Sequence, residues 1–538
     1  MLSYILKQLH YLKLLNQNLS EQLNILQTLN QSLDTHSDST RVLSSDLEQN
    51  LTVLQNILGT SNDIIVRKFN LCDKQKTPVA LIYIEGMVNK AIINEHIVKP
   101  LMYDSRLLSS AEANTVETVS NTMLATGNVT KTGSISKLVE SCLAGDTVVL
   151  IHGFQDALTI DARQWESRGV QEPHTEAVVR GPREGFTETL RINTALLRRK
   201  IHNPNFTLEM MKLGQRTKTD VCIAYVKGLA EPRLVREVRR RLRRIRIDAI
   251  LESGYIEQFV EDAPLSPFAT IANSEKPDVV AAKLLEGRVA ILVDGTPIVL
   301  TVPMLFLEGF QSSEDYYSRL YYTNIVRILR FVSFFITTLG PALYVALTSF
   351  HQEALPTTLL VTLLVAKEGI PFPTVAEALL MGAIYEILRE AGVRLPRPIG
   401  SAISIVGALV LGEAAVSAGL VGAPMVIVVA ITAISSFVIP AQGDVTTTLR
   451  LVFTVAASLM GIYGISIIFL GVLIHLCCLR SFGTPYFSPF APLSIQELKD
   501  SFLRAPLWLM RTRPQTITRQ DLNRQAFRLK PNPPSETE

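Results

Sequence analysis

Apolar residues at the start of the chain recur every seven residues. One position of the repeat holds Leu2, Leu9, Asn16, Leu23 and Asn30, and the other holds Ile5, Leu12, Leu19, Leu26 and Leu33. This is the a/d pattern of a coiled coil, in which a buried asparagine lowers stability but fixes register and strand number. We predict a self-associating coiled-coil helix over 1–34, with Asn16 and Asn30 as register residues, and a polar linker over 35–54. An amphipathic helix packed against its own domain is the alternative.

Short β-branched runs alternate with helical patterns between residues 55 and 326. The runs at 79–84, 147–151 and 221–226 predict strands, and the apolar spacing from Pro232 predicts a helix to about Arg244. Two apolar runs flank Asp294-Gly295, a dipeptide that favours a β-hairpin. Strands that alternate with helices indicate an α/β domain, which we expect to form two lobes.

The pattern changes at about residue 327, where long apolar runs begin to alternate with charged or Pro/Gly-rich breaks. We predict an all-α polytopic membrane domain over 327–480, because runs of this length match the roughly 30 Å core of a bilayer. Its predicted segments are 331–350, a short run at 355–366, an interfacial or half helix at 375–391, 398–421, 424–440 and 451–479.

Arginines flank this region on both sides, which places both of its ends in the cytoplasm and requires an even number of crossings. The segments give four to six crossings. A count of five crossings is odd and would place the two ends on opposite sides of the membrane. Either one segment therefore enters the membrane and returns to the same side, or the region contains a sixth segment that the pattern does not reveal. We predict that 481–538 is a cytoplasmic tail. The N-terminus has no uninterrupted apolar core, so we expect no signal peptide and a cytoplasmic soluble part.

The helix predicted at 375–391 is short for a membrane span, at about 25 Å. Thr374 and Glu377 have the spacing of a capping box at its start, and Glu386 and Arg389 can pair near its end. Glu368 lies in the break before this helix, and no helix cap accounts for a charged residue at that position. Broken backbone at membrane depth is tolerated where it is buried in protein or lines a wet cavity, so Glu368 is a candidate pore or gating residue.

Glu413 is the only charged residue between Pro398 and Gly443. An ionisable side chain at bilayer depth is costly and is therefore a candidate for an ion path or gate. A neutral or hydrogen-bonded carboxyl in a packed helix interface is the alternative.

A second group of candidate residues lies in the soluble part. The Gly and Pro residues around Arg180, Arg183 and Glu184 predict a turn. We expect this turn to position the three charged residues for a domain contact.

Composition supports the division into a soluble and a membrane part. Hydrophobic residues make up 47% and charged residues 19%, with a mean hydropathy of +0.25. The net charge of +3 gives no general argument for nucleic-acid binding. The arginine-rich helix at 232–246 is interpreted as a solvated face with apolar residues packed inward, and lipid head groups or an acidic partner surface are the alternatives.

Signatures of catalysis are missing from the chain. The five cysteines show neither CxxC nor Cys/His spacing, so we interpret them as free thiols. The sequence contains no phosphate-binding loop, dinucleotide fingerprint, nucleophile elbow or HExxH motif. We therefore expect no catalytic site, no cofactor and no metal, and a protein that is not an enzyme.

Five blocks resemble signatures of the A subunits of spore germinant receptors, the GerA/GerK-type family. They are EPHTEAVVRGPREGFTETLRINTALLRRKI, IDAILESGYIEQFVED, KPDVVAAKLLEGRVAILVDGTPIVLTVP, EGIPFPTVAEALLMGAIYEILREAGVRLP and LRSFGTPYFSPFAPLSIQELKDSFLRAP. The blocks follow one another over roughly residues 50–510. His174 stands where the resemblance leads us to expect Gln. A sporulation paralogue of the A subunit is an alternative.

The resemblance implies a subunit of a nutrient-sensing complex in the spore inner membrane. Its implied partners are a B-type subunit that resembles a transporter and is the expected nutrient binder, and a C-type lipoprotein subunit. It further implies a homo-oligomer in membrane lipid that forms or gates a cation path and so starts germination. A secondary transporter and a non-conducting scaffold are the competing hypotheses. The small number of segments and the lack of an internal repeat count against the transporter.

Overall fold

The computed structural model describes residues 42–525, apart from residues 60 and 177 and the ranges 72–75, 104–127, 165–175 and 395–411. The coiled coil predicted at 1–34, with Asn16 and Asn30, lies outside the described residues and stays a prediction. The described part consists of two α/β lobes followed by a helical region, which confirms the predicted order of a mixed α/β part and an α-helical part.

The first lobe is built on an antiparallel sheet of five strands in the order β1-β2-β4-β5-β3. Its described elements are α1 (Leu47–Leu58), β1 (Ile64–Asn70), β2 (Pro78–Ile84), a helical segment over 90–103, β3 (Val129–Thr132), α2 (Ile135–Leu143), β4 (Thr147–Ile151) and β5 (Ala157–Ile160). Ala80 and Ile82 pack under α1 and α2, whereas Val79 and Leu81 pack under the 90–103 segment. Because β2 is covered on both faces, it is apolar at nearly every position.

The predicted linker at 35–54 is wrong over its second half. Helix α1 begins at Leu47, with the Asp46 carboxylate accepting a hydrogen bond from the Glu48 N–H as its N-cap. Leu47, Leu51 and Leu54 are buried in the first lobe. The lobe therefore begins before the predicted boundary at residue 55, because an amphipathic helix inside the polar stretch supplies part of its core.

The second lobe repeats this architecture with strand order β6-β7-β9-β10-β8. Its described elements are α3 (Leu190–Lys200), β6 (Phe206–Leu213), β7 (Thr219–Val226), α4 (Pro232–Arg244), α5 (Ser253–Val260), β8 (Ala272–Ser274), α6 (Pro277–Leu285), β9 (Val289–Val293) and β10 (Val299–Val302). Strands β9 and β10 pair antiparallel around Asp294-Gly295, which confirms the predicted hairpin.

The arginine-rich helix α4 packs as its apolar spacing predicts. Leu234, Val238 and Leu242 are buried in the second lobe. On its polar side, Arg239 forms a bidentate pair with Glu209, and Arg241 bonds to Glu237 and Asp262. The pairing of these arginines within the lobe favours the interpretation as a structural helix face.

Arg198 joins the two lobes. Its side chain is 1% exposed, and Nε and Nη2 lie 2.9 Å from the two carboxylate oxygens of Asp63, which precedes β1. The guanidinium also donates to the Phe206 carbonyl and the Ser61 hydroxyl. A planar guanidinium satisfies several acceptors at once, so one buried side chain fixes the contact between the lobes.

The helical region follows the second lobe. Its described helices are α7 (Glu314–Tyr317), α8 (Leu320–Ser349), α9 (Thr357–Lys367), α10 (Thr374–Arg394), α11 (Gly412–Ser417), α12 (Ala423–Phe437) and α13 (Gly443–Cys478). Among the described helices, two are long and apolar enough to cross a membrane, Leu320–Ser349 and Pro440–Cys478, and α9 and α12 are shorter apolar helices. The multi-pass organisation stays a prediction.

Helix α13 is two helices that meet at Gly461, whose φ of 59° and ψ of −138° are not helical. Before the helix begins, Gln442 lies against Gly309, and near its end the Nε2 of His475 lies 2.8 Å from the Ser266 hydroxyl oxygen. Gly461 itself lies against His351, beyond the far end of α8. The chain therefore leaves the lobes, reverses at Gly461 and returns, so the single segment predicted at 451–479 is wrong.

Helix α10 differs from the predicted short helix at 375–391. It has 21 residues, which at 1.5 Å per residue makes it about 31 Å long. The capping box is wrong too, because the helix starts at Thr374 and the Glu377 carboxylate accepts a hydrogen bond of 2.9 Å from the Gly422 N–H. The predicted pair of Glu386 and Arg389 is present at 2.7 Å.

The segment predicted as a tail folds back onto the lobes and α8. Residues 480–525 include two short paired strands, Arg480–Ser481 and Thr484–Pro485. Ser481 bonds to Thr270 and Met304 of the second lobe and its connection to α8, and Tyr486 is 1% exposed. The described part of the segment 481–538 is therefore integrated into the structure, and we call residues 480–525 the C-terminal segment.

Candidate functional site: the junction between the lobes and the helices

Four parts of the chain meet where the second lobe adjoins the helical region. They are the connection over residues 303–319, the first turns of α8, the turn 438–442 between α12 and α13, and the C-terminal segment. A cluster of aromatic rings fills the centre of this junction, and its members are Phe306, Phe310, Phe331, Phe334, Phe487, Phe490 and Phe502. The ring pairs are in edge-to-face, tilted and stacked contact, and such aromatic pairs stabilise the junction beyond the apolar area that they bury.

Arg327 is the centre of the polar part of the junction. Its side chain is 0% exposed, and it pairs with Asp315 at 3.2 Å and with Asp500 at 2.8 Å. Arg330, one turn further along α8, makes a second pair with Asp315 at 2.8 Å. Arg327 therefore connects α8 to the connection before it and to a residue far away in the C-terminal segment.

Two further residues strengthen this contact. Arg504 donates to the carbonyl oxygens of Asp315 and Ser318, and its backbone exchanges hydrogen bonds with the Asn324 side chain. The Tyr316 hydroxyl donates to Asp500 at 2.7 Å. Burial, with the neighbouring Asp500 carboxylate, raises the pKa of Tyr316 well above its ordinary value, so the hydroxyl remains a donor at neutral pH.

A cavity of about 580 Å³ lies beside the arginine cluster. Its lining combines α6 of the second lobe, the 303–319 connection, Arg330 of α8 and the turn 438–441. Lys276 is 1% exposed there, donates to the Ser313 hydroxyl at 3.1 Å and lies 3.7 Å from Asp278. The Tyr317 hydroxyl donates at 2.7 Å to Oδ2 of Asp278, the same carboxylate oxygen that lies nearest to Lys276.

A second group of residues in the cavity lining carries charges that compensate one another. Arg288 bonds to Glu308 and to the Pro303 carbonyl, and Lys283 lies 3.2 Å from Glu308. Burial opposes ionisation of Glu308, but Arg288 and Lys283 outweigh it and lower its pKa. Burial raises the pKa of Glu286 in spite of Arg288. Charges that are buried in pairs hold a fixed geometry, since breaking one pair leaves the other ion uncompensated.

The role predicted for Arg180, Arg183 and Glu184 in a domain contact stays a prediction. Glu184 lies 3.3 Å from Lys200 and 3.6 Å from Arg199, both in α3, while Arg180 and Arg183 are exposed. Gly181 lies against the Tyr317 ring with a φ of 143°, and a Cβ there would lie 2.7 Å from a ring carbon. The turn therefore contacts the junction through a glycine that sequence reasoning did not single out.

The two predicted pore residues lie apart from the junction. Glu413 is exposed in the short helix α11, and Glu368 is exposed at the end of α9. Their proposed role in a pore or gate stays a prediction. Glu377, which sequence reasoning assigned to a cap, is instead 1% exposed, and its Oε1 has no hydrogen-bond partner among the described residues.

Sequence reasoning missed most of the junction residues, although one signal was present. Arg327 and Arg330 lie at the start of an apolar run, and their positive charge indicated that this end of the predicted span faces the cytoplasm. Their spacing of three residues places them on one helix face, which can also indicate a shared acidic partner. Among the described residues, no group of three or more His, Cys, Asp or Glu side chains could hold a metal ion.

Comparisons with known proteins give a consistent result. The family model described as "Bacillus/Clostridium GerA spore germination protein" matches residues 52–516. Spore germination protein KA of Bacillus subtilis (strain 168) is 44% identical over 494 residues, which cover 91% of this chain and 90% of that protein. Uncharacterized membrane protein YfkQ of the same strain is 43% identical over 487 residues, with 89% and 93% covered.

A solved structure is also similar to part of the chain. It is the crystal structure of the N-terminal domain of the A subunit of the Bacillus megaterium spore germinant receptor GerK3. The two chains are 36% identical, the match covers 50% of this chain and 98% of that chain, and the TM-score is 0.40.

Proposed function

This chain belongs to the GerA family of spore germination proteins, and on that premise we propose that it is the A subunit of a nutrient-sensing germinant receptor. In this role it forms or gates a cation path in the spore inner membrane. The partners of the proposed complex are a transporter-like B-type subunit, a C-type lipoprotein subunit and further copies of this chain. Several of the relatives that match are named as spore germination proteins, which supports a role other than catalysis.

The junction around Arg327 is the observation that carries this proposal. A receptor subunit has to transmit a change in its soluble part to its membrane part. Arg327, Asp315 and Asp500 join the 303–319 connection, α8 and the C-terminal segment through buried ion pairs. A displacement of the second lobe is therefore passed to the start of α8, because separating these charges is costly.

The directions of the helices support a multi-pass arrangement. Helix α8 leads away from the junction, α10 and α12 lead towards it, and the two halves of α13 lead away and back. Together with the predicted span at 398–421, these five helical segments make six crossings. This number supports the alternative in which the region contains a sixth segment. Both ends of the helical region then lie on one side, which fits lobes and C-terminal segment in the cytoplasm of the spore.

Cation flux from liposomes that contain the purified full chain alone tests the conducting role. A subunit that forms the path should release K⁺ from loaded liposomes above the level of protein-free liposomes. If there is no flux and the chain still assembles with its B-type and C-type partners, the chain is a scaffold. Flux that requires a gradient of a second solute would favour a secondary transporter instead.

Glu413 and Glu368 are the proposed pore or gating residues. We expect Glu413→Gln or Glu368→Gln to change the rate of cation release from spores, because loss of a carboxylate alters the field along a cation path. The matched control is Glu353→Gln, at an exposed glutamate in the turn after α8. Release at the parental rate in both variants would assign the two glutamates a structural role.

A further inference from the structure

Helix α5 and the loop after it present large apolar side chains to the outside of the second lobe. Tyr255 is 40% exposed, Phe259 is 55% exposed, and Leu265 in the loop is 99% exposed. Tyr255 and Phe259 are four residues apart and so share one face of the helix. The neighbouring face of the helix buries Ile256 and Val260 in the lobe. The exposed face therefore has no partner within the described chain.

The loop is anchored at the end of α13. The Ser266 hydroxyl oxygen lies 2.8 Å from Nε2 of His475, and the Phe268 ring lies 6.1 Å from the imidazole ring of His475. Phe268 and Ala263 pack in the same apolar cluster as Leu476, in the last turn of α13. Leu265, between these anchor points, is thus held beside the position where the long apolar helix ends.

The outer face of α13 also carries exposed apolar side chains. Leu470 and Ile474, four residues apart, are 58% and 57% exposed. The helix to which they belong is among those long and apolar enough to cross a membrane. Arg480, two residues after the end of the helix, is exposed. A basic residue after an apolar helix and aromatic side chains beside it are typical of the depth at which lipid head groups lie.

We propose that Tyr255, Phe259 and Leu265 form a lipid-contacting surface that inserts into the membrane interface beside the end of α13. Lipid is the occupant that fits, because Ser266 fixes the loop that carries Leu265 to the end of α13, whose outer face is itself apolar and exposed. Such a contact orients the second lobe on the bilayer. The inference rests on α13 lying in a membrane, as in the proposed function, but not on an ion path.

Tryptophan quenching by nitroxide-labelled lipid tests this surface in the full chain. The chain is reconstituted into phosphatidylcholine/phosphatidylglycerol liposomes with a lipid labelled near the head group, and quenching is taken as the difference from the parent chain. We expect quenching of Leu265→Trp to be at least about twofold that of Leu285→Trp, since interfacial side chains lie about 5–10 Å into the head-group boundary. Leu285, 42% exposed on α6, is the matched control.

Two further variants keep the result interpretable. Leu470→Trp on α13 reports insertion of the helix itself, so its quenching separates failure of this inference from failure of the membrane arrangement. Phe259→Trp is a conservative second probe if Leu265→Trp does not fold. Quenching of both surface probes at the level of Leu285→Trp, with Leu470→Trp quenched, overturns the proposal. Disulfide cross-linking of Leu265→Cys between copies, in a chain without other cysteines, also overturns it and identifies a protein interface.

Discussion

Two completely buried arginines, Arg198 and Arg327, each join parts of the chain that are far apart in sequence. We expect Asp63→Asn to lower the free energy of unfolding by about 3–5 kcal/mol, because it leaves the guanidinium of Arg198 buried without its counter-charge. Urea titration of the full chain in detergent micelles, followed by circular dichroism, measures this. Asp220→Asn is the control, since its pair with Lys212 is exposed at 3.8 Å and should contribute less than about 1 kcal/mol. Equal effects of the two changes would contradict a special role for Arg198.

Glu257 makes the stability of the second lobe depend on pH. Burial raises its pKa from 4.5 to about 7, and the carboxylates of Glu261 and Glu252 add to the effect. Because the folded state binds this proton more tightly than the unfolded state, stability falls as pH rises from about 4.5 to about 7. Glu257→Gln should therefore raise the thermal midpoint at pH 8, and the difference should vanish near pH 4.5. Thermal unfolding across this range measures it, with the exposed Glu140→Gln as control. A difference that does not change with pH would contradict the assignment.

At the scale of elements, the reversal within α13 depends on one glycine. Gly461 has a positive φ, and a Cβ at this position would lie 2.6 Å from an atom of the His351 ring. We expect Gly461→Ala to lower the thermal midpoint and the monodisperse fraction in detergent, because both the backbone conformation and the contact exclude a side chain. Size-exclusion chromatography after heating measures the fraction that remains folded. Gly471→Ala is the matched control, since nothing lies within 4 Å of the Cβ that it adds. Equal behaviour of the two variants would argue against the reversal.

At the scale of the whole molecule, Arg327 holds the C-terminal segment on α8. We expect Arg327→Met to release this segment, because Asp500 then loses its ion pair. The measurement is limited trypsin digestion of the full chain, with faster cleavage at arginines after residue 500. Arg394→Met is the control, because Arg394 is 77% exposed in its pair with Glu390. Cleavage at the parental rate in Arg327→Met would show that the aromatic cluster suffices to hold the segment.

Predictions of single elements succeeded where the pattern of one segment decides the conformation. The strands at 79–84 and 147–151 and the helix after Pro232 are present because a β-branched run or helical spacing acts over a few residues. The capping box of Thr374 and Glu377 failed although its spacing was right. Glu377 instead accepts a hydrogen bond from the Gly422 N–H, which comes within reach only when α10 packs near α12. A local motif is thus overridden when folding brings a competing donor from a distant segment to the same side chain.

The sequence by itself determined the order of α/β part and helical part, the apolar segments, the hairpin at Asp294-Gly295 and membership of the germination family. Each of these depends on residues that are neighbours in the chain or on blocks that can be compared directly. Only the tertiary structure decided the strand orders, the reversal at Gly461 and the buried pairs of Arg198 and Arg327. The partners of Arg327 at Asp315 and Asp500 are 12 and 173 residues away. Such pairs depend on segments that meet only in the folded chain, where packing of the aromatic cluster removes water from the junction. The spacing of Arg327 and Arg330 does not by itself identify Asp315 or Asp500 as the partner.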